Sequence, residues 1–132
     1  MIDRVLLKES AAALGVTVDD TAAERLDVYA RLLVEWNERM NLTAITDPEG
    51  IVLKHFADSL SAAPLLPQGA FSLIDVGTGA GFPGVPLAIL RGDMQLTIFY
   101  HKLVTVTVSI PDIVNTVRYT LEKCYEGCCY RS

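Results

Sequence analysis

Between residues 75 and 84 the chain reads Asp-Val-Gly-Thr-Gly-Ala-Gly-Phe-Pro-Gly. Gly77, Gly79 and Gly81 alternate along it. Each tolerates backbone conformations closed to other residues, and none places a Cβ between the main chain and an approaching ligand. Phe71 to Val76 just upstream is short, apolar and bounded by Gly69 and Gly77, which reads as a buried strand. Pro83 suits the first turn of a helix. Val85, Leu87, Ala88 and Leu90 continue that helix to a C-cap at Arg91-Gly92. A strand, a glycine loop and a helix start present backbone N–H groups and a positive helix end to a polar or anionic ligand. The spacing argues against a dinucleotide. That fingerprint, G-x-G-x-x-G, needs glycine at position 82, where the chain has Phe82.

Two other groups of residues invite chemistry and give less. His55, Asp58 and Ser59 share a face of one predicted helix. A nucleophilic triad is a poor reading, because all three fall within five residues and no nucleophile turn is present. A hydrogen-bonded structural histidine is expected instead. Cys124, Cys128 and Cys129 cluster near the end with no zinc-site spacing and read as reduced, unliganded thiols, so no metal site is assigned.

The elements that must position the glycine loop follow from periodicity. Ile2 to Leu14 is expected to form a short helix, with Ile2, Val5, Leu6 and Leu14 on one side and Gly15 as its stop. Thr21 and Glu24 fit a capping box that opens a second helix. Leu26, Tyr29, Leu33, Trp36 and Met40 form its apolar stripe, in which Tyr29 and Trp36 read as core packing. Asp27 with Arg31, and Glu35 with Arg39, have the favourable acid-first spacing of four. Asp47 and Pro48 start a third helix running to about Ala63, with Ile51, Val52, Phe56 and Leu60 buried. After Gly92 the chain returns as a strand from Met94 to Tyr100. Leu103 to Ile110 alternates like a half-exposed strand, and Ile113, Val117 and Leu121 mark a last helix. Helices followed by strand–helix–strand predict an α/β sheet with an N-terminal helical extension.

Composition sets the bounds. The chain has 132 residues, is 51% hydrophobic and carries a net charge of −5, which fits one modest globular core and speaks against a broad nucleic-acid surface. Charges flank the short apolar run at the start, so no signal peptide is read, and no run approaches a membrane span. A cytoplasmic protein with no membrane partner is expected.

The Asp-x-Gly-x-Gly-x-Gly pattern from Asp75 to Gly81 resembles the first motif of S-adenosylmethionine-dependent methyltransferases. With Trp36 to Ile45, His55 to Leu60 and Asp75 to Pro86, the likeness widens to one family. The chain resembles the bacterial small-subunit ribosomal RNA methyltransferase G family, also called glucose-inhibited division protein B, from about residue 20 to residue 98. The resemblance implies an incomplete class I methyltransferase (Rossmann-like) sheet behind a helical extension. Its parts would be residues 1–68, the extension; 69–99, the start of the donor-binding α/β domain; and 100–132, a divergent tail. It implies S-adenosylmethionine as cofactor, small-subunit ribosomal RNA as partner, and methyl transfer to N7 of a guanine. Gly77 and Phe82 match family positions that contact the donor, and Gly79 and Gly81 complete the loop. N7 carries a lone pair, so alignment in a dry pocket replaces a general base and no catalytic side chain is named.

The likeness then stops. The family has an acidic residue after the second strand, which would accept hydrogen bonds from the donor's ribose hydroxyls. Tyr100 stands there, and Asp93 lies at the wrong end of the strand. A frameshift or premature end near residue 98 is expected. The alternative to an enzyme is a non-catalytic remnant with weak or no donor binding.

Overall fold

A computed structural model describes residues 1–76, 79–101, 104–108, 115, 117–119 and 121–122. The N-terminal layer is helical. Helix α1 (Arg4–Ala13) is capped by Asp3, whose carboxylate accepts from Val5 and Leu6 N–H. Gly15, at φ +76°, carries the chain out of it. The buried side is formed by Leu7 and Ala11, with Ile2 ahead of the helix. Val5, expected on that side, is 65% exposed. The four-residue spacing of Leu7 and Ala11 defines the inward face, and Val5 lies off it.

Helix α2 (Asp20–Met40) is the longest element. Its cap is Asp19, which accepts from Ala22 N–H at 2.7 Å, so the predicted box at Thr21 and Glu24 is displaced by two residues. An aspartate already stands where the N–H groups need an acceptor. Leu26, Tyr29 and Leu33 are fully buried, as the stripe predicts, while Trp36 is half-buried under the Arg39 guanidinium, 5.1 Å from its ring centroid. The Asp27–Arg31 pair forms, at 3.3 Å.

The third predicted helix is real but not uniform. Asp47 caps α3 (Pro48–Gly50), a π-helical segment (Ile51–Ala57) follows, and α4 (Asp58–Leu60) closes it. The stretch expected to run on to Ala63 ends in a separate 3-10 turn (Ala63–Leu65), because Pro64 supplies no N–H.

Strand β1 (Phe71–Val76) leads into the glycine loop, helix α5 (Gly84–Leu90) returns, and β2 (Met94–His101) pairs parallel to β1 with Phe71 opposite Met94 and Val76 opposite Phe99. β3 (Val104–Val108) adds antiparallel to β2, giving the order β1-β2-β3. Val117 and Leu121 are helical and join the core, as their spacing predicts; Ile113, Tyr100's side chain and the three cysteines lie outside what is described.

β1 is not buried on both faces. Its burial alternates, and Ile74 and Val76 are 66% and 71% exposed. The helical layer covers the face that carries Leu96 and Ile98. Nothing among the described residues covers the other face of β1.

Candidate functional site

The carboxyl ends of β1 and β2 lie side by side, and the glycine loop leaves from the first of them. Gly77 lies outside the described residues, so its place in the loop is known from the sequence alone. Gly79, Gly81 and Phe82 are brought together, and the two glycines differ in what surrounds them.

Gly79 has φ +59°, and nothing lies within 4 Å of where a Cβ would stand. It is a point where a ligand can reach bare backbone. Gly81 has φ +107°, and a Cβ there would meet Tyr29 Oη at 2.7 Å and Val85 Cγ2 at 2.9 Å. Its missing side chain makes room for the protein itself. Tyr29, fully buried on α2, reaches the loop and donates its hydroxyl to Ala80 O at 2.5 Å. The tyrosine that periodicity assigns to core packing is therefore also a bolt between the helical extension and the loop.

Phe82 is half-buried and turned towards the helices. Its ring stacks on His55 (centroids 4.5 Å apart, planes 7°) and on Tyr29 (5.4 Å), with Phe56 tilted at 6.2 Å. His55 makes the expected structural hydrogen bond, but to another partner. Nε2 lies 2.9 Å from Thr43 Oγ1 rather than against Asp58 or Ser59. The π-helical winding changes the angular spacing on which the i+3 and i+4 reading depends. Burial holds the His55 pKa below its ordinary value, against the pull of Asp58.

The predicted positive helix end is already spent. Asp75, the acidic residue of β1, accepts from Gly84 N–H at 2.9 Å. Val85 N–H goes to Gly81 O at 2.8 Å, and α5 has only seven residues. An internal carboxylate thus takes the place that an external anion would occupy. Gly84 is glycine because the same oxygen would sit 2.7 Å from a Cβ and Leu96 Cδ1 3.0 Å from it. Pro83 precedes the helix and follows a cis peptide bond from Phe82. Asp93 ion-pairs with Arg91 at 3.0 Å, at the amino end of β2 and away from the loop, as its position in the sequence implies.

Sequence reasoning passed over Thr43, Phe56 and the Asp75–Gly84 contact as parts of the site. The first two lie in stretches that carry the family likeness, but on their own they read only as loop and core. The third joins residues nine apart that become neighbours only when the loop folds back.

Fold and site define an α/β protein of the glycine-loop kind, with its candidate site at the carboxyl ends of two parallel strands and a helical layer behind it. A family model, GidB: rRNA small subunit methyltransferase G, matches residues 22–104. Curated proteins named ribosomal RNA small subunit methyltransferase G are similar to the chain. That of Acetivibrio thermocellus is 48% identical over 93 residues, covering 70% of this chain and 38% of its own length. That of Alkaliphilus metalliredigens is 40% identical over 135 residues, covering 94% and 55%. That of Clostridium beijerinckii is 49% identical over 94 residues, covering 70% and 39%. The chain belongs to the rRNA small subunit methyltransferase G family. It spans about half, or less, of the length of these relatives. The Alkaliphilus match covers too much of the chain to stop near residue 98, so likeness continues into the tail that the sequence reading sets apart.

Proposed function

We propose that the chain forms the donor-loop side of an enzyme that uses S-adenosylmethionine to methylate N7 of a guanine in small-subunit ribosomal RNA. In this reading residues 69–99 begin an incomplete class I methyltransferase sheet, residues 1–68 are its helical extension, and residues 100–132 are the tail that follows it. The observation that carries it is Gly79. Its backbone is open to approach, on a loop at the carboxyl end of β1 whose other members are held from behind by Tyr29 and His55. Relatives named as ribosomal RNA methyltransferases supply the substrate class.

The residues present fit the donor at this loop. Gly77 and Gly79 would give it main-chain contact. Gly81 keeps the loop seated on Tyr29 and Val85, and Phe82 offers backbone and ring edge, since His55 and Tyr29 stack against the ring. Bound S-adenosylmethionine supplies a methyl group on a sulfonium, open to in-line displacement by a lone pair. The chain's own part is to orient and to exclude water, which requires no proton acceptor. The reaction takes place in the cytoplasm, where ribosomal RNA is made. No described helix is long and apolar enough to cross a membrane.

A second reading has its own support. Tyr100 stands where the family carries an acid, directly after Phe99, which is level with the last residue of β1. The uncovered face of β1 also leaves that side of the sheet open. Both favour a non-catalytic remnant with weak donor binding. Titration calorimetry with S-adenosylmethionine decides. Binding in the micromolar range, with label transfer to small-subunit ribosomal RNA, is expected of the enzyme. No heat at millimolar donor sinks the donor-loop reading.

A further inference from the structure

Four residues tie the glycine loop to the connection after α2. Asn37 Oδ1, near the end of α2, accepts from Thr43 N–H at 2.8 Å. Thr43 Oγ1 accepts from Ile45 N–H at 3.0 Å and lies 2.9 Å from His55 Nε2. His55 lies flat on Phe82. The amide contact fixes the backbone at Thr43, the hydroxyl fixes the imidazole, and the imidazole covers one face of the Phe82 ring. His55 and Phe56 are consecutive, yet both bear on Phe82. The π-helical winding of Ile51–Ala57 permits this, because its wider turn brings neighbouring side chains closer in direction than an α-helix does. Phe82 is only half-buried, so burial alone does not fix its ring.

We propose that His55 is a positioning residue for methyl-donor binding: held by Thr43, its ring sets Phe82 and thereby the backbone from Gly79 to Phe82. The proposal rests on the donor reading above. His55 does not touch the donor in it. It acts through the stack, which is a flat contact between two rings and so is kept by another aromatic residue and lost with an aliphatic one.

Amide hydrogen exchange on the full chain, with and without S-adenosylmethionine, tests this. His55→Ala is expected to lower the protection of the Gly84 and Val85 amides, which bond to Asp75 and to Gly81 O at the end of the loop, about three- to tenfold, the worth of one aromatic pair, and to weaken donor binding by a similar factor. Protection of the Leu7 and Ala11 amides in α1 should be unchanged. His55→Phe should restore the loop's protection to near the wild-type level. Equal loosening of α1 and loop in His55→Ala, or failure of His55→Phe to rescue, overturns the proposal. Should His55→Ala not fold, His55→Leu carries the test: it keeps bulk at the position and loses the flat ring contact with Phe82, and unchanged loop exchange overturns the proposal. Absence of donor binding by the wild-type chain overturns the donor reading separately, since exchange in the unliganded chain reports on His55 whichever way that titration goes.

Discussion

Gly79 and Gly81 look alike in the sequence, yet substitution should separate them. Gly79→Ala adds a methyl group into open space, so its cost is the left-handed backbone alone, about 1 kcal/mol. Gly81→Ala adds the same group against Tyr29 Oη and Val85, and should cost about 2–4 kcal/mol in urea unfolding. The pair with Tyr29 makes this sharper. Tyr29→Phe alone should cost about 1–2 kcal/mol, because Ala80 O loses its buried donor. In a Tyr29→Phe background the added methyl group of Gly81→Ala meets no hydroxyl, so the double variant should be less destabilised than the sum of the two singles. Additive energies would show that the hydroxyl does not set the space at Gly81. Gly79, Gly81 and Phe82 were legible as a loop from spacing alone. That one glycine is open and another packed was not, since the nearest atom at Gly81, the Tyr29 hydroxyl, comes from a residue fifty-two positions earlier.

Among the elements, α5 shows most clearly how a local rule can be overridden. A helix following a glycine loop suggests an anion site, but here the β1 carboxylate of Asp75 turns back onto Gly84 N–H. Asp75→Ala should therefore loosen the start of α5 and cost about 1 kcal/mol in urea unfolding, whereas Asp75→Asn retains an acceptor and should cost less. If Asp75→Ala leaves stability unchanged while abolishing donor binding, Asp75 serves a ligand and not the cap. The helices themselves were well announced. α2 shows its stripe, α3 its Asp47-Pro48 start, and α1 its stop at Gly15. Their details depended on contacts that periodicity does not contain. The π-helical winding that sets the direction of His55 has no local signature in Ile51–Ala57. β1 reads as buried on both sides because Ile74 and Val76 are apolar, and apolar character cannot reveal whether a covering layer is present.

For the molecule as a whole, the first residues of the chain are joined to α2 through the Asp27 carboxylate. Asp27 is 3% exposed. It accepts from the Met1 ammonium at 2.9 Å, from Ile2 N–H at 3.0 Å, and from the Arg4 and Arg31 guanidiniums at 3.3 Å each. Burial by itself would raise its pKa, but the Ile2 N–H, the ammonium and Arg4 outweigh it and hold the group down at about 2, against an ordinary value of 3.8. A carboxyl group whose pKa is lower folded than unfolded stabilises the fold fully above the unfolded value. That contribution is lost as pH falls towards the folded value. Here the loss spans the interval from about pH 4 down to about pH 2, and the shift corresponds to ~2 kcal/mol. Asp27→Asn should remove the Asp27 share of the acid sensitivity in that window, so its stability should change less with pH than the wild type's while being lower at neutral pH. Urea midpoints measured at intervals from pH 7 to pH 2 would reveal the difference. Parallel curves for the two proteins would mean that the Asp27 cluster does not carry the acid sensitivity. The test also bears on the site. α2 supplies both Asp27 and Tyr29, so a start that detaches in acid would slacken the same helix that holds Ala80, and donor binding should weaken before the chain unfolds.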